Sequence, residues 1–186
     1  MNLVAVVTAL LALEYSSVAI ERAMSTLRPV PGRMELVSES DAPVHVVVDY
    51  AHTPAALEQA LDSLREHTTQ RIWCVFGCGG ERDPGKRTEM GAIADRLADK
   101  IVLTNDNPRS EDPLKILEQI EAGIHRHEVI RISDRREAIE FAMRQADSGD
   151  LVLVAGKGHE TMQIVGAERI PFSDRTVVAN LLEEIC

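Results

Sequence analysis

Residues 44–57 read VHVVVDYAHTPAAL. The first six form a short β-branched run, which reads as a buried strand. Thr53-Pro54 then supplies a helix cap and a first-turn proline. Leu57, Ala60, Leu61 and Leu64 recur behind it at helical spacing. The same pattern repeats along the chain. Strands are expected at 71–77, 100–104, 128–132 and 151–155. Helices are expected between them. One carries Met90, Ile93, Ala94 and Leu97; a second, opened by Asp112-Pro113, carries Ile116, Leu117, Ile120 and Ile124. A third, opened by Asp134 with Glu137 three residues on, carries Ala138, Ile139, Ala142 and Met143. Residues 162–165 and 168–172 suit a hairpin about Gly166-Ala167, and Ser173 caps a last helix. The alternation predicts an α/β fold, a mostly parallel twisted sheet with helices on both faces.

The chain has 186 residues, enough for one core and a small appendage. It is 45% hydrophobic and 27% charged, too apolar for intrinsic disorder. Aromatic residues make up only 3%, so the core must be aliphatic. Three cysteines do not make a disulfide scaffold at this length, and a reducing cytoplasm is expected. The net charge of −10, with no basic stripe, argues against a nucleic-acid partner. It leaves room for one small anion held by a local group of arginines.

Residues 1–13 carry no charge. They fall short of the ~20 apolar residues of a membrane span and lack the basic start of a signal peptide. They read as a buried helix that needs something to pack against. Residues 14–43, with Pro31, Gly32 and Pro43, read as a boundary. The expected division is 1–30, a helical stub, and 31–186, the α/β unit.

Ligands in such sheets bind beyond the carboxyl ends of the strands. Four polar or glycine-rich segments, 49–52, 77–87, 105–109 and 156–160, directly follow expected strands and should meet at one edge. The segment from Gly80 to Lys86 fits G-x-x-x-x-G-K, but Arg87 stands where a P-loop needs Ser or Thr, and Pro84 removes an N–H from the cradle. Either a plain glycine-rich turn or a loop in which Arg82 or Arg87 meets an anion remains. Asn107 and Arg109 suit a carboxylate clamp. In 156–160, Glu160 suits an ammonium group, Lys157 an anion, and the two glycines a close backbone approach. Together these loops fit a small zwitterion with more than one carboxylate. The six histidines have no metal-ligand spacing, and no metal site is expected. Asp49, at a strand end, reads either as a turn former or as a carboxylate placed for ribose hydroxyls, and Arg33 stands where it could reach a nucleotide.

The segments PGRMELV, VVVDYAHTPAAL, WCVFGCGGERDPGKR, TNDNPRSEDP, VLVAGKGHE and PFSDR together resemble the C-terminal part of a Mur ligase. The DNPR element is similar to that of the diaminopimelate-adding members. The resemblance implies a Rossmann-like C-terminal domain that receives the amino acid. In the implied reaction ATP phosphorylates the glutamate carboxylate of UDP-N-acetylmuramoyl-L-alanyl-D-glutamate, and the amine of meso-diaminopimelate attacks the acyl phosphate, building peptidoglycan in the cytoplasm. It assigns Arg82, Asp106, Asn107, Pro108, Arg109, Gly156 and Glu160 to the diaminopimelate. Arg33, Asp49 and Asn2 fall to the ATP side. It names no catalytic base for the amine.

The family's UDP-sugar domain and nearly all of its ATPase domain have no counterpart in these residues. That includes the Walker A loop, the carbamylated lysine and the Mg²⁺ ligands. Residues 1–13 resemble only that domain's last helix. The chain alone is therefore not expected to catalyse. The alternatives are a non-catalytic amino-acid or nucleotide-binding module and the C-terminal domain of a folylpolyglutamate synthase type of ligase.

Overall fold

The computed structural model describes residues 2–27, 30–39 and 42–185, with the side chain of Asn2 left out. Two compact units divide the chain, 1–30 and 31–186. In the first, α1 (Asn2–Ala12) and α2 (Ser17–Met24) are helices, the second capped by the Ser16 hydroxyl, which accepts from the Ala19 N–H. The expected burial of the first helix is not met within its own unit. Leu3, Val4, Val6 and Leu11 are exposed, and Ile20 of α2 is the one core side chain of the unit among the described residues.

In the second unit a six-stranded sheet runs β1 (Glu35–Leu36), β2 (His45–Asp49), β6 (Leu151–Ala155), β3 (Ile72–Phe76), β4 (Lys100–Leu103), β5 (Val129–Arg131). All pairs are parallel except β1 with β2. Local chemistry places the helices. Thr53 accepts from the Ala56 N–H at the start of α3 (Pro54–His67). Asp112 does the same for Leu114 in α5 (Pro113–Glu121), and Asp134 for Glu137 in α6 (Arg135–Gln145). With α4 (Gly85–Leu97) and α7 (Asp174–Ile185) the set is complete. The hairpin β7 (Met162–Val165) and β8 (Glu168–Pro171) turns at Gly166.

Alternate residues of each strand enter opposite cores, as the two-residue period requires. Val47, Cys74, Phe76, Leu103 and Leu153 pack under α3, α4 and α5. Val46, Val48, Trp73, Val75, Val102 and Val154 pack under α6 and α7. The chain steps outward through β2, β3, β4 and β5 with helices on one face. It returns through α6 on the other face to insert β6 between β2 and β3. A constant crossover hand demands this change of face. It opens a crevice at the carboxyl end, where the helix-bound loops diverge.

Two elements were not foreseen. The expected boundary 14–43 holds α2 and the two-residue edge strand β1. Cys74 and Cys78 are buried and free, and burial pushes both thiols up to about 12, which makes them inert. No helix among the described residues is long and apolar enough to cross a membrane.

Asp95 of α4 ties down the turn that leads to β5. Its carboxylate accepts from the N–H groups of His125, Arg126 and His127 at 3.1, 2.9 and 3.1 Å. Burial by itself would raise its pKa, but these three bonds outweigh burial and hold it below the usual carboxylate range. A carboxyl lowered in the folded state stabilises fully above its unfolded value, near ~3.9. That contribution is lost as pH falls through the folded value. Urea midpoints measured down from pH 5 should fall more steeply for the parent chain than for Asp95→Asn. Parallel curves would remove Asp95 from the acid response.

Candidate functional site

The loops after β2, β3, β4 and β6 meet at the carboxyl edge of the sheet around a cavity of about 450 Å³. Of the residues singled out from sequence, Arg82, Asp106, Asn107, Arg109, Gly156 and Glu160 line it. Tyr50, His52, Thr53, Gly79, Asp83 and Lys86 complete the wall. A neighbouring hollow of about 270 Å³ shares Asn107, Arg109 and Glu160 and is lined in part by the hairpin.

The loop after β4 is clamped from two sides. On one side the Gly80 N–H donates to the Asn107 carbonyl at 2.9 Å, and Arg109 Nη1 donates to the Gly80 carbonyl at 2.6 Å. On the other, Arg109 N–H donates to the Ile164 carbonyl at 3.1 Å, and Gly166 N–H to the Arg109 carbonyl at 2.7 Å. These bonds hold Arg109 at φ +53°. Arg82 and Arg109 flank Gly79: a Cβ built there would stand 3.0 Å from Arg109 Nη1 and 3.7 Å from Arg82 Cγ. Among the described residues neither guanidinium has a carboxylate within 4.0 Å. Two unneutralised, forked cations therefore face one cavity, which is the arrangement a carboxylate requires.

Arg87 does not join them. It lies 1% exposed, with Nη1 and Nη2 on the two oxygens of Glu111 at 2.9 and 3.0 Å. The expectation that it might meet an anion is corrected. Arg87, Met90 and Ala94 share the inward stripe of α4 at i, i+3 and i+7, a signal already visible in the sequence. The glycine-rich segment is likewise no phosphate cradle. A Cβ at Gly80 would meet the Pro108 carbonyl oxygen at 1.9 Å, so this glycine serves close approach of two loops. Pro108 lies outside the cavity wall and contributes that carbonyl, which also accepts from the Glu111 N–H at 3.1 Å.

Lys157 is also corrected. Rather than facing a ligand anion, it is wholly buried, with its ammonium 2.8 Å from Asn107 Oδ1, 3.2 Å from Glu160 Oε2 and 3.9 Å from Asp106 Oδ1. Burial pushes the Asp106 carboxyl up, against the pull of Arg135 and Lys157. Gly156, at φ +119°, passes so close that a Cβ would stand 2.6 Å from Asp106 Oδ2. Beneath this layer lies a buried ion pair that sequence reading missed. Arg135 Nε and Nη2 donate to Asp174 at 2.7 and 2.8 Å, with both side chains 0% exposed.

Arg33 and Asp49 sit to one side. The Asp49 carboxylate accepts from the Met34 and Ala51 N–H groups at 2.7 and 2.8 Å, so both oxygens already serve the protein's own backbone. Arg33 lies over the Tyr50 ring, 4.6 Å from its centroid. Neither residue lines the cavity, whereas Tyr50 does. The Asn2 side chain lies outside the described residues.

The family described as Mur ligase, glutamate ligase domain, matches residues 32–158. The UDP-N-acetylmuramoyl-L-alanyl-D-glutamate–2,6-diaminopimelate ligase of Coxiella burnetii is 53% identical over 152 residues, covering 81% of this chain and 31% of its own. A solved structure of a ligase of the same name superposes with a TM-score of 0.78 at 41% identity, covering 99% of this chain and 38% of that one. A bifunctional folylpolyglutamate synthase/dihydrofolate synthase from Yersinia pestis shares the fold, with a TM-score of 0.62 at 22% identity over 96% of this chain and 38% of that one. The chain spans about a third of the length of these relatives. On the match over 32–158 and the 53% identity, the chain belongs to the Mur ligase family and carries its glutamate ligase domain.

Proposed function

We propose that residues 31–186 are the amino-acid-receiving domain of an ATP-dependent ligase that joins meso-diaminopimelate to UDP-N-acetylmuramoyl-L-alanyl-D-glutamate in the cytoplasm. The observation that carries this is the pairing of two unneutralised guanidiniums, Arg82 and Arg109, with a carboxylate, Glu160, in one cavity. Glu160 Oε2 is held by Lys157 and Asn107, and Oε1 has no hydrogen-bond partner among the described residues. Oε1 therefore suits a ligand ammonium, while the arginines take the adjoining carboxylate. Asp106, Asn107, Pro108 and Gly156 belong to this reading as the frame that sets those groups in place. ATP and Mg²⁺ enter as substrate and its counter-ion. Arg33 and Asp49 would serve the nucleotide side through the 33–35 segment, since the Asp49 oxygens are already taken. Residues 1–30 we read as the end of the ATPase domain, a reading supported by the exposed apolar face of α1.

Lysine lacks the second carboxylate of diaminopimelate and leaves a cavity-lining guanidinium without its partner. A lost charge-assisted bond costs ~1.5–3 kcal/mol, or about ten- to a hundredfold in affinity. Calorimetric titration of the chain should show meso-diaminopimelate binding at least tenfold more tightly than L-lysine. Arg109→Ala should erase the difference. Equal affinities in the parent chain would refute the reading.

A further inference from the structure

Lys157 is the only wholly buried lysine among the described residues, and every polar partner it has belongs to the cavity wall. An ammonium is rarely taken out of water unless paired, because its desolvation costs several kcal/mol. Here it is paired on three sides. The Asn107 amide shows what the pairing does. Its Oδ1 accepts from Lys157 Nζ and from the Ile164 N–H at 2.9 Å, two groups that can only donate. Its Nδ2 must then point the other way, and it donates to Glu160 Oε2 at 3.0 Å. Lys157 reaches the same Oε2 at 3.2 Å. One oxygen of Glu160 thus takes two donors from the protein, and the other is left for the cavity.

We propose that Lys157 is a positioning residue for the amino-acid site, fixing Glu160 by one oxygen so that the other meets the ligand ammonium. It touches no ligand itself and acts through Glu160. The backbone makes this placement possible. Gly156 at φ +119° and Gly158 at φ +52° turn the Lys157 side chain under the loop instead of out of it. Gly158 packs so tightly on the Gly32 carbonyl and on Tyr50 that a Cβ would stand 2.6 and 2.7 Å from them. The short loop between β6 and β7 therefore cannot swing Lys157 outward as one piece. The assignment rests on the proposed diaminopimelate reading for its ligand, but the Lys157–Glu160–Asn107 arrangement does not depend on which ligand binds.

The test is a double-mutant cycle on the full chain with meso-diaminopimelate as the titrant. Lys157→Met should weaken binding about tenfold or more. In a Glu160→Gln background the same change should add less than threefold, because the residue it acts through is already altered. Equal losses in both backgrounds would overturn the proposal. Lys157→Gln keeps a donor without the charge and serves if the methionine variant does not fold; the same two outcomes apply to it.

A second readout needs no ligand. The Asn107 side-chain N–H₂, bonded to a fixed Glu160, should exchange slowly with solvent by NMR. In the Lys157 variant it should exchange about tenfold faster, while a change at exposed Lys115 leaves it unaltered. Unchanged exchange would overturn the positioning role even if diaminopimelate binds. If the parent chain binds no diaminopimelate, the ligand reading fails and faster exchange still upholds the role of Lys157.

Discussion

Arg135→Met is expected to lower the free energy of unfolding by about 3–5 kcal/mol, the range for removing one partner of a buried ion pair. Arg135 opens α6 and is 1% exposed. Beyond its two bonds to Asp174, its Nη2 donates to the Ala155 carbonyl at 2.9 Å and its Nη1 to the Asn105 carbonyl at 3.3 Å. One side chain therefore joins the ends of β4 and β6 to the starts of α6 and α7. Methionine keeps the apolar stem but leaves the Asp174 carboxylate, 0% exposed, without a counter-charge. It also strips a donor from two carbonyls. Urea denaturation at neutral pH measures the loss. Replacing both partners, Arg135→Met with Asp174→Leu, should recover most of it, since a buried pair and an apolar pair of similar volume are close in energy. A single-variant loss under about 1 kcal/mol would show that water reaches the pair.

Gly80→Ala is expected to cost about 1–3 kcal/mol of stability and, separately, about a hundredfold in diaminopimelate affinity. The added Cβ would meet the Pro108 carbonyl oxygen at 1.9 Å, a backbone atom that cannot rotate away. Relief requires the loops after β3 and β4 to part by more than an ångström. The loop after β3 carries Arg82, and the loop after β4 carries Asn107 and Arg109. Their registry depends on Gly80 N–H to Asn107 and Arg109 to the Gly80 carbonyl. Donors that must meet a ligand in fixed geometry lose heavily from a displacement of that size. Gly85→Ala is the control. A Cβ there meets only the Asp83 carboxylate at 3.2 Å, so binding should hardly change. If Gly80→Ala left binding unchanged, the registry of these two loops would not be what positions the arginines.

The strands could be read in advance because central parallel strands are buried on both faces and show as unbroken apolar runs. The expected run 151–155 and β6 coincide. Helix starts were legible where a cap and its partner lie within three residues, as at Thr53 and Asp134. β1 was not, because two residues at an antiparallel edge carry too little pattern to separate from a turn. Of the cations, Arg87 and Arg135 each lie on the apolar stripe of their own helix, so their burial was open to a closer reading of phase.

Local chemistry along the chain thus specified the α/β order, the helix caps and the four loops that gather at one edge. Capping bonds and apolar periods span few residues, and each segment carries its own. The direction of each charge at that edge was settled elsewhere. Lys157 turns inward because Asn107, 50 residues away in sequence, and Asp106 stand beneath it. Arg109 faces the cavity because Gly80 and the hairpin hold its backbone from both sides. A loop residue has no fixed period to reveal its direction, so the choice between ligand contact and buried support falls to partners brought close by the fold.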